Sequence, residues 1–70
     1  MVMLSGTVTE FDEPRGLGTV ETADGRPYLF HVLEIDDGSR HIDVGQAVCF
    51  QSLPRFGLLQ AGRIRKVRSG

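Results

Sequence analysis

The sequence predicts an all-β protein, a small barrel of five short antiparallel strands that forms one domain over residues 1–70. Two observations favour this class. Segments in which apolar and polar residues alternate cover most of the chain, as half-buried strands require. Nine glycines are spread among them and allow the close strand approach and sharp coiling of a small barrel. Closure removes exposed strand edges, which matters for a chain with so little core to bury.

The first three strands follow in order along the chain. The β-rich run at 2–11 is the first strand, and a loop containing Pro14 follows it. The run at 17–22 is the second strand. It ends at the turn signal Ala-Asp-Gly at 23–25, whose glycine can take a positive φ angle, and the third strand covers 26–32.

The second half of the chain holds two more strands behind a turn-rich segment. Residues 33–45 are polar and contain Asp-Asp-Gly at 36–38, which favours loops with room for one short helical turn. The fourth strand is predicted at 46–53, and residues 54–57 turn the chain into a fifth strand at 58–67.

Composition indicates an ordinary globular domain, with 40% hydrophobic and 24% charged residues. No apolar run approaches the roughly 20 residues that cross a bilayer, and the first residues lack the pattern of a signal peptide. We therefore expect a cytoplasmic location and no membrane partner. The lone cysteine, Cys49, and two histidines make a poor metal set, so no metal or cofactor is predicted. The apolar neighbours of Cys49 favour a buried structural thiol.

The net charge of −1 hides an uneven distribution of charged residues. Residues 1–43 contain nine acidic and three basic residues, whereas residues 44–70 contain five basic and no acidic ones. A basic chain end can attract phosphate groups. It equally suits a solvated edge strand whose cations prevent pairing with another chain, so both interpretations stay open.

Alternation along the third strand sorts its side chains into two faces. Tyr28, Phe30 and Val32 share one face, and Leu29 and His31 share the other. The first set is larger and more apolar, so we expect it to point into the core. Leu29 and His31 then point outward.

The second strand extends the outward face. Val20 is its natural core residue, which sends Leu17 and Thr19 outward. If the second and third strands pair as a hairpin, these two residues join Leu29 and His31 in one external patch. Single exposed leucines need no explanation, but a cluster beside a histidine indicates an interaction surface.

Five segments carry a recognisable pattern: Gly6–Asp12, Arg15–Val20, Tyr28–Val32, Gly45–Phe50 and Leu58–Ile64. In that order they resemble the motifs of the cold-shock domain, the small OB-fold module of bacterial cold-shock proteins. Those motifs read Gly-x-Val-Lys-Trp-Phe-Asn, Lys-Gly-Phe-Gly-Phe-Ile, Val-Phe-Val-His-Phe, Gly-Gln-x-Val-x-Phe and Gly-Pro-Gln-Ala-x-x-Val. The resemblance covers nearly the whole chain, with one apparent deletion near Ser39. It implies a five-stranded antiparallel OB-fold barrel.

The resemblance also implies a function for the outward patch. In that family a row of aromatic rings stacks on the bases of single-stranded RNA or DNA. The aligned positions are not aromatic here: Glu10, Leu17, Thr19, Leu29 and Val32. Phe11, the basic residue Arg15 and the histidine His31 are retained. The barrel is therefore expected to be kept while most of the stacking rings are replaced.

The first functional hypothesis is a divergent cold-shock-like protein that binds single-stranded RNA or DNA weakly and with a dependence on salt. Phe56 is a possible replacement ring in this hypothesis, although a loop phenylalanine is more often a local packing residue. The candidate contacts are Phe11, Arg15, Leu17, Thr19, Leu29, His31, Phe56, Gln60 and Arg63.

The alternative is a barrel that has lost nucleic-acid binding and acts as a protein-interaction or dimerising module. Its contact surface would be the aliphatic set Leu17, Leu29 and Val32. Enzymatic activity is not expected. Glu10 and its acidic neighbours lack a partner that would complete a nucleophile or metal site, and no glycine-rich loop precedes a helix.

Overall fold

In the computed structural model, which describes residues 3–55 and 58–67, the chain forms a closed barrel of five strands. The elements are β1 (Met3–Asp12), β2 (Leu17–Thr22), β3 (Pro27–His31), a single 3₁₀ turn (Val32–Glu34), β4 (Ala47–Arg55) and β5 (Leu58–Lys66). Each predicted strand is present, with ends within about two residues of the expected ones. Among the described residues, no helix is long and apolar enough to cross a membrane.

The strand order around the barrel is β1-β2-β3-β5-β4. β1 pairs antiparallel with both β2 and β4, and the β2–β3 and β4–β5 pairs are also antiparallel. The β3–β5 pair is parallel and joins Leu29 to Gln60, so the prediction of an antiparallel barrel is wrong at this pair. The reason is geometric: five strands closed in a ring cannot all alternate in direction, and an odd number leaves at least one parallel pair.

The core lies between the inward faces of all five strands. Phe50 on β4 is fully buried and packs against the ring of Tyr28, with 5.1 Å between ring centroids. The expectation that Val20, Tyr28 and Phe30 point inward is confirmed. The buried apolar residues are Val8, Val20, Tyr28, Phe30, Val32, Ile35, Ile42, Val48, Phe50, Ala61 and Ile64.

Two glycines are required by the way β2 packs. Gly18 lies opposite Phe30 in the β2–β3 ladder, and a Cβ atom at Gly18 would collide with the Phe30 ring and lie 2.8 Å from the carbonyl oxygen of Glu10. Gly16 has a φ angle of +67°, a backbone conformation that residues other than glycine rarely adopt. Both glycines therefore fix the path of the chain into the hairpin that carries the outward patch.

Two expectations about burial are corrected. Val32 is only 7% exposed and belongs to the core, so it cannot extend an external aliphatic patch. The strand alternation predicted this position correctly, whereas the family alignment placed it on the surface. Cys49 is partly exposed, since its neighbours Val48 and Phe50 point inward and send its thiol to the outer side, 3.8 Å from the Ser5 hydroxyl.

Candidate nucleic-acid interface

The outward side of the β2–β3 hairpin carries the four residues grouped by sequence alternation. Leu17 lies opposite His31, and Thr19 lies opposite Leu29. Leu17 and Leu29 are 46% and 48% exposed, large fractions for leucines that are neighbours on one surface. We call this surface, made of Leu17, Thr19, Leu29 and His31, the hairpin face.

A groove runs from the hairpin face toward β4 and β5. Its cavity volume is about 270 Å³. Gln60 lines the groove because this residue lies beside Leu29 in the parallel β3–β5 pair. Leu53 also lines the groove because it lies opposite Gln60 in the β4–β5 pair. We call this cavity the leucine groove, and its lining is Leu17, Leu29, Phe30, His31, Glu34, Leu53, Gln60 and Ala61.

Besides the core residues Phe30 and Ala61, two lining residues of the leucine groove, Leu53 and Glu34, were not found from the sequence. They reach it because Gly62 on β5 has no side chain: a Cβ atom there would collide with Leu53 and lie 3.2 Å from Glu34 Oε1. A glycine inside a predicted strand signals a close approach by another group. Gly62 was therefore the available signal, but it does not say which side chains approach.

A second cavity, of about 240 Å³, lies on the other side of the leucine pair. Its rim is acidic, because Glu10 lies opposite Thr19 and Asp12 lies opposite Leu17 across the β1–β2 ladder. Phe11 also lines this cavity but is partly buried, with its ring parallel to Phe30 at 6.3 Å between centroids. Phe11 therefore contributes to packing as well as to the surface.

His31 presents a defined hydrogen-bonding edge on the hairpin face. Its Nδ1 accepts a hydrogen bond from the backbone N–H of Leu33 at 3.1 Å. A neutral imidazole with Nδ1 accepting carries its proton on Nε2. His31 Nε2 is therefore the donor that a ligand would meet.

The basic residues are distributed unevenly around the hairpin face. Arg15 and Arg40 line a shallow cavity together with His31, and Arg15 Nε lies 3.6 Å from the carboxylate of Asp12. Arg63 is not brought to this face: it is exposed at a bulge of β5 with a φ angle of +50° and lines a cavity with Met3.

The basic chain end is partly neutralised by acidic residues at the surface of the barrel. Arg65 lies 3.5 Å from Asp36, and Lys66 lies 3.3 Å from Asp37. The backbone N–H and hydroxyl of Ser39, with a further contribution from Lys66, lower the pKa of Asp37. This end is therefore less available to phosphate than its composition indicates. The side chain of Phe56 lies outside the described residues.

A cluster of ionisable side chains around His41 lies next to Phe11, which lines the second cavity. His41 contacts Asp43 at 2.8 Å and Glu13 at 3.5 Å, and its ring meets the Phe11 ring edge-on at 5.7 Å between centroids. The hydrogen bond to Asp43, reinforced by the charges of both carboxylates, raises the pKa of His41 above the usual 6.5, against a smaller opposing effect of desolvation. We call these four residues the His41 cluster.

The strand order, the barrel closure and the exposed hairpin define a small barrel of the OB type. No protein-family model matches the chain, and no curated protein matches it. Among solved structures, cold-shock domains 4–6 of Drosophila Unr superpose with a TM-score of 0.81 and 29% sequence identity over 96% of this chain. The match spans 27% of that longer chain. The protein therefore has a cold-shock-domain-like fold, and the replaced aromatic positions are consistent with the absence of a family-model match.

Proposed function

We propose that this protein binds single-stranded nucleic acid, weakly and with a dependence on salt, through the hairpin face. Similarity to a cold-shock domain suggests nucleic-acid binding at the level of that fold family. The observation that carries the proposal is the contiguous exposure of Leu17, Leu29 and His31 on one hairpin. These residues occupy positions where the resembled family carries its base-stacking rings. A base can lie flat on leucine methyl groups, although the contact is weaker than ring stacking.

Weak affinity follows from the missing rings. Each base–aromatic stack contributes about 1–3 kcal/mol, and a micromolar complex has a binding free energy of only about −8 kcal/mol. Leucines replace part of that contribution, since burying apolar surface contributes about 25 cal/mol per Å². We therefore expect affinities weaker than micromolar at physiological salt.

Charge favours one path for the sugar–phosphate backbone. Glu10 and Asp12 repel phosphate at the rim of the second cavity. The cavity beside His31 is lined instead by two basic residues, Arg15 and Arg40, and one acidic residue, Glu13. We propose that the backbone passes on the arginine side and the bases lie on the leucines. The protein then acts by binding and not by catalysis.

The test compares two exposed leucines that are close in sequence. Leu29 lies on the hairpin face, and Leu33, 75% exposed, lines none of the described cavities. A pool of labelled single-stranded hexanucleotides of random sequence is titrated at low salt, with fluorescence anisotropy as the readout. We expect Leu29→Asp to weaken binding about tenfold or more, because it places a negative charge beneath the bound oligonucleotide. Leu33→Asp should leave the affinity unchanged.

Thermal unfolding of both variants checks that the barrel is intact. Equal affinities of the two folded variants would contradict the assignment of this face. Absence of binding by the natural chain at millimolar protein would contradict the proposed function itself.

A second candidate is association with another protein or a second copy of the chain. It is favoured by the two exposed leucines of the same surface, Leu17 and Leu29. Sedimentation velocity at high concentration tests it: a dimer that Leu29→Glu dissociates would support it, and a monomer at every concentration would exclude self-association.

A further inference from the structure

We infer that the leucine groove holds one base of the bound strand and selects guanine through the carboxylate of Glu34. The inference rests on the proposed function, because it concerns which base the same surface prefers. Glu34 lies in the leucine groove, where its carboxylate repels phosphate but can accept hydrogen bonds from a base.

Glu34 is held in a defined position. It is the last residue of the 3₁₀ turn that follows β3, and its side chain is partly buried against the leucine groove. Its Oε1 accepts a hydrogen bond from the backbone N–H of Arg63 at 3.4 Å. Within the described residues, Oε2 has no hydrogen-bond partner, so the carboxylate retains capacity to accept from a ligand.

An ionised carboxylate can only accept hydrogen bonds, and this restricts the base that it can read. Guanine presents two adjacent donors, N1–H and the N2 amino group, which fit the two oxygens of one carboxylate. Adenine and cytosine place a ring-nitrogen acceptor beside their single amino group. Uracil and thymine place a carbonyl on each side of their one N–H. Only guanine therefore offers two adjacent donors that pair with both oxygens of one carboxylate.

The remaining polar groups of the leucine groove complement the same base. Guanine O6 lies beside N1–H and needs a donor, and the side chains of His31 and Gln60, which can both donate, line the groove. Leu17, Leu29 and Leu53 supply apolar walls for the flat faces of the ring. The volume of about 270 Å³ is below the range for drug-sized ligands, about 300–1,000 Å³, so the groove suits one base.

The experiment measures base preference and not affinity alone. Labelled hexauridylate is compared with strands in which one central position is guanosine, adenosine or cytidine, which avoids guanine-rich structures. We expect the guanosine strand to bind about tenfold more tightly than the others, the discrimination of one bidentate contact. Inosine, which lacks the N2 amino group, should lose much of this preference, and 7-deazaguanosine, whose N1 and N2 donors are intact, should keep it.

A matched pair of variants assigns the preference to Glu34. Glu34→Gln keeps an acceptor for the Arg63 backbone N–H but removes the second carboxylate oxygen, so the guanosine preference should fall to about twofold or less. Glu21→Gln removes the same charge from an exposed position on β2 outside the groove and should keep the full preference.

Each outcome of this experiment is decisive. Binding of all four strands with equal affinity would overturn the guanine assignment and leave the proposed function intact. A guanosine preference that survives Glu34→Gln would overturn the role of Glu34. Failure of every strand to bind would overturn the proposed function, and the base preference with it.

Discussion

The inner and outer sides of the β2–β3 hairpin differ in the side chains that they carry. On the inner side, Val20, Tyr28 and Phe30 are buried in the barrel core. On the outer side, Leu17 and Leu29 stand where the resembled family carries rings, and both are nearly half exposed. Because successive residues of a strand point to opposite sides, one side can change without disturbing the other. The barrel core and the exposed surface are therefore formed by separate sets of residues within the same ladder of five residue pairs, a separation that substitutions can test.

The largest expected effect separates two adjacent residues of β3. Tyr28→Ala should cost about 3–5 kcal/mol of unfolding free energy, since Tyr28 packs against Phe50 in the core. Leu29→Ala, next in sequence and 48% exposed, should cost less than about 1 kcal/mol. Urea unfolding followed by circular dichroism measures both.

A 70-residue domain has a small stability margin, so Tyr28→Ala can unfold the chain. Tyr28→Leu, which keeps more apolar volume, then provides the measurable comparison. Similar losses at positions 28 and 29 would show that the hairpin does not separate into an inner and an outer side.

The next effect is a gain on the outer side. Leu29→Phe should strengthen binding of single strands by about 1 kcal/mol or more, because a ring on the exposed face can stack on a base. Its unfolding free energy should stay close to that of the natural chain. Leu33→Phe adds the same ring outside the described cavities and should not change affinity. A gain from Leu33→Phe equal to that from Leu29→Phe would show non-specific attraction.

A smaller effect distinguishes the charge of Arg15, beside the hairpin face, from that of Arg65, which lines a different cavity. Arg15→Gln should lower the slope of log affinity against log salt by about 0.7, the value for one phosphate contact on a single strand. Arg65→Gln should leave the slope unchanged, because Arg65 lies beside Asp36 in a different cavity. Anisotropy titrations at four salt concentrations measure both slopes. A lower slope for Arg65→Gln and an unchanged slope for Arg15→Gln would place the bound nucleic acid on the β5 side.

The smallest effect concerns pH at the His41 cluster. The carboxylate of Asp43 raises the pKa of His41 above 6.5, so the folded protein holds this proton more tightly than the unfolded chain. The resulting stabilisation is complete below pH 6.5 and is lost as pH rises through the raised pKa. Proton NMR of the His41 ring measures that pKa, and Asp43→Asn should lower it toward 6.5. An unchanged pKa in Asp43→Asn would contradict the proposed contact.

The sequence predicted most of the barrel because alternation is a local property. Strands around Val20 and Phe30 were placed correctly since each of these buried residues lies between neighbours that are exposed or half-buried. The parallel β3–β5 pair was missed although it follows from closing an odd number of strands. Val32 was assigned both to the core by alternation and to the surface by family alignment, and burial supports alternation.

The candidate site was less predictable because it is assembled from separate strands. Leu17 and Leu29 could be grouped, since a hairpin brings them together through a short turn. Leu53 and Glu34 could not, because their approach depends on the pairing of β4 with β5 and on the space left at Gly62. Arg63 was expected at the interface from its charge alone, and a bulge in β5 directs it elsewhere.

The most direct test is an NMR titration of the ¹⁵N-labelled chain with single-stranded hexanucleotides at low salt. If the outer side of the hairpin binds nucleic acid, the amides of Leu17–Thr19, Leu29–His31 and Gln60 will shift progressively, while those of Met3–Ser5 and Cys49–Gln51 will stay in place. No shifts at millimolar oligonucleotide, or shifts confined to the Met3–Ser5 and Cys49–Gln51 segments, would contradict the assignment of the hairpin face as the binding surface.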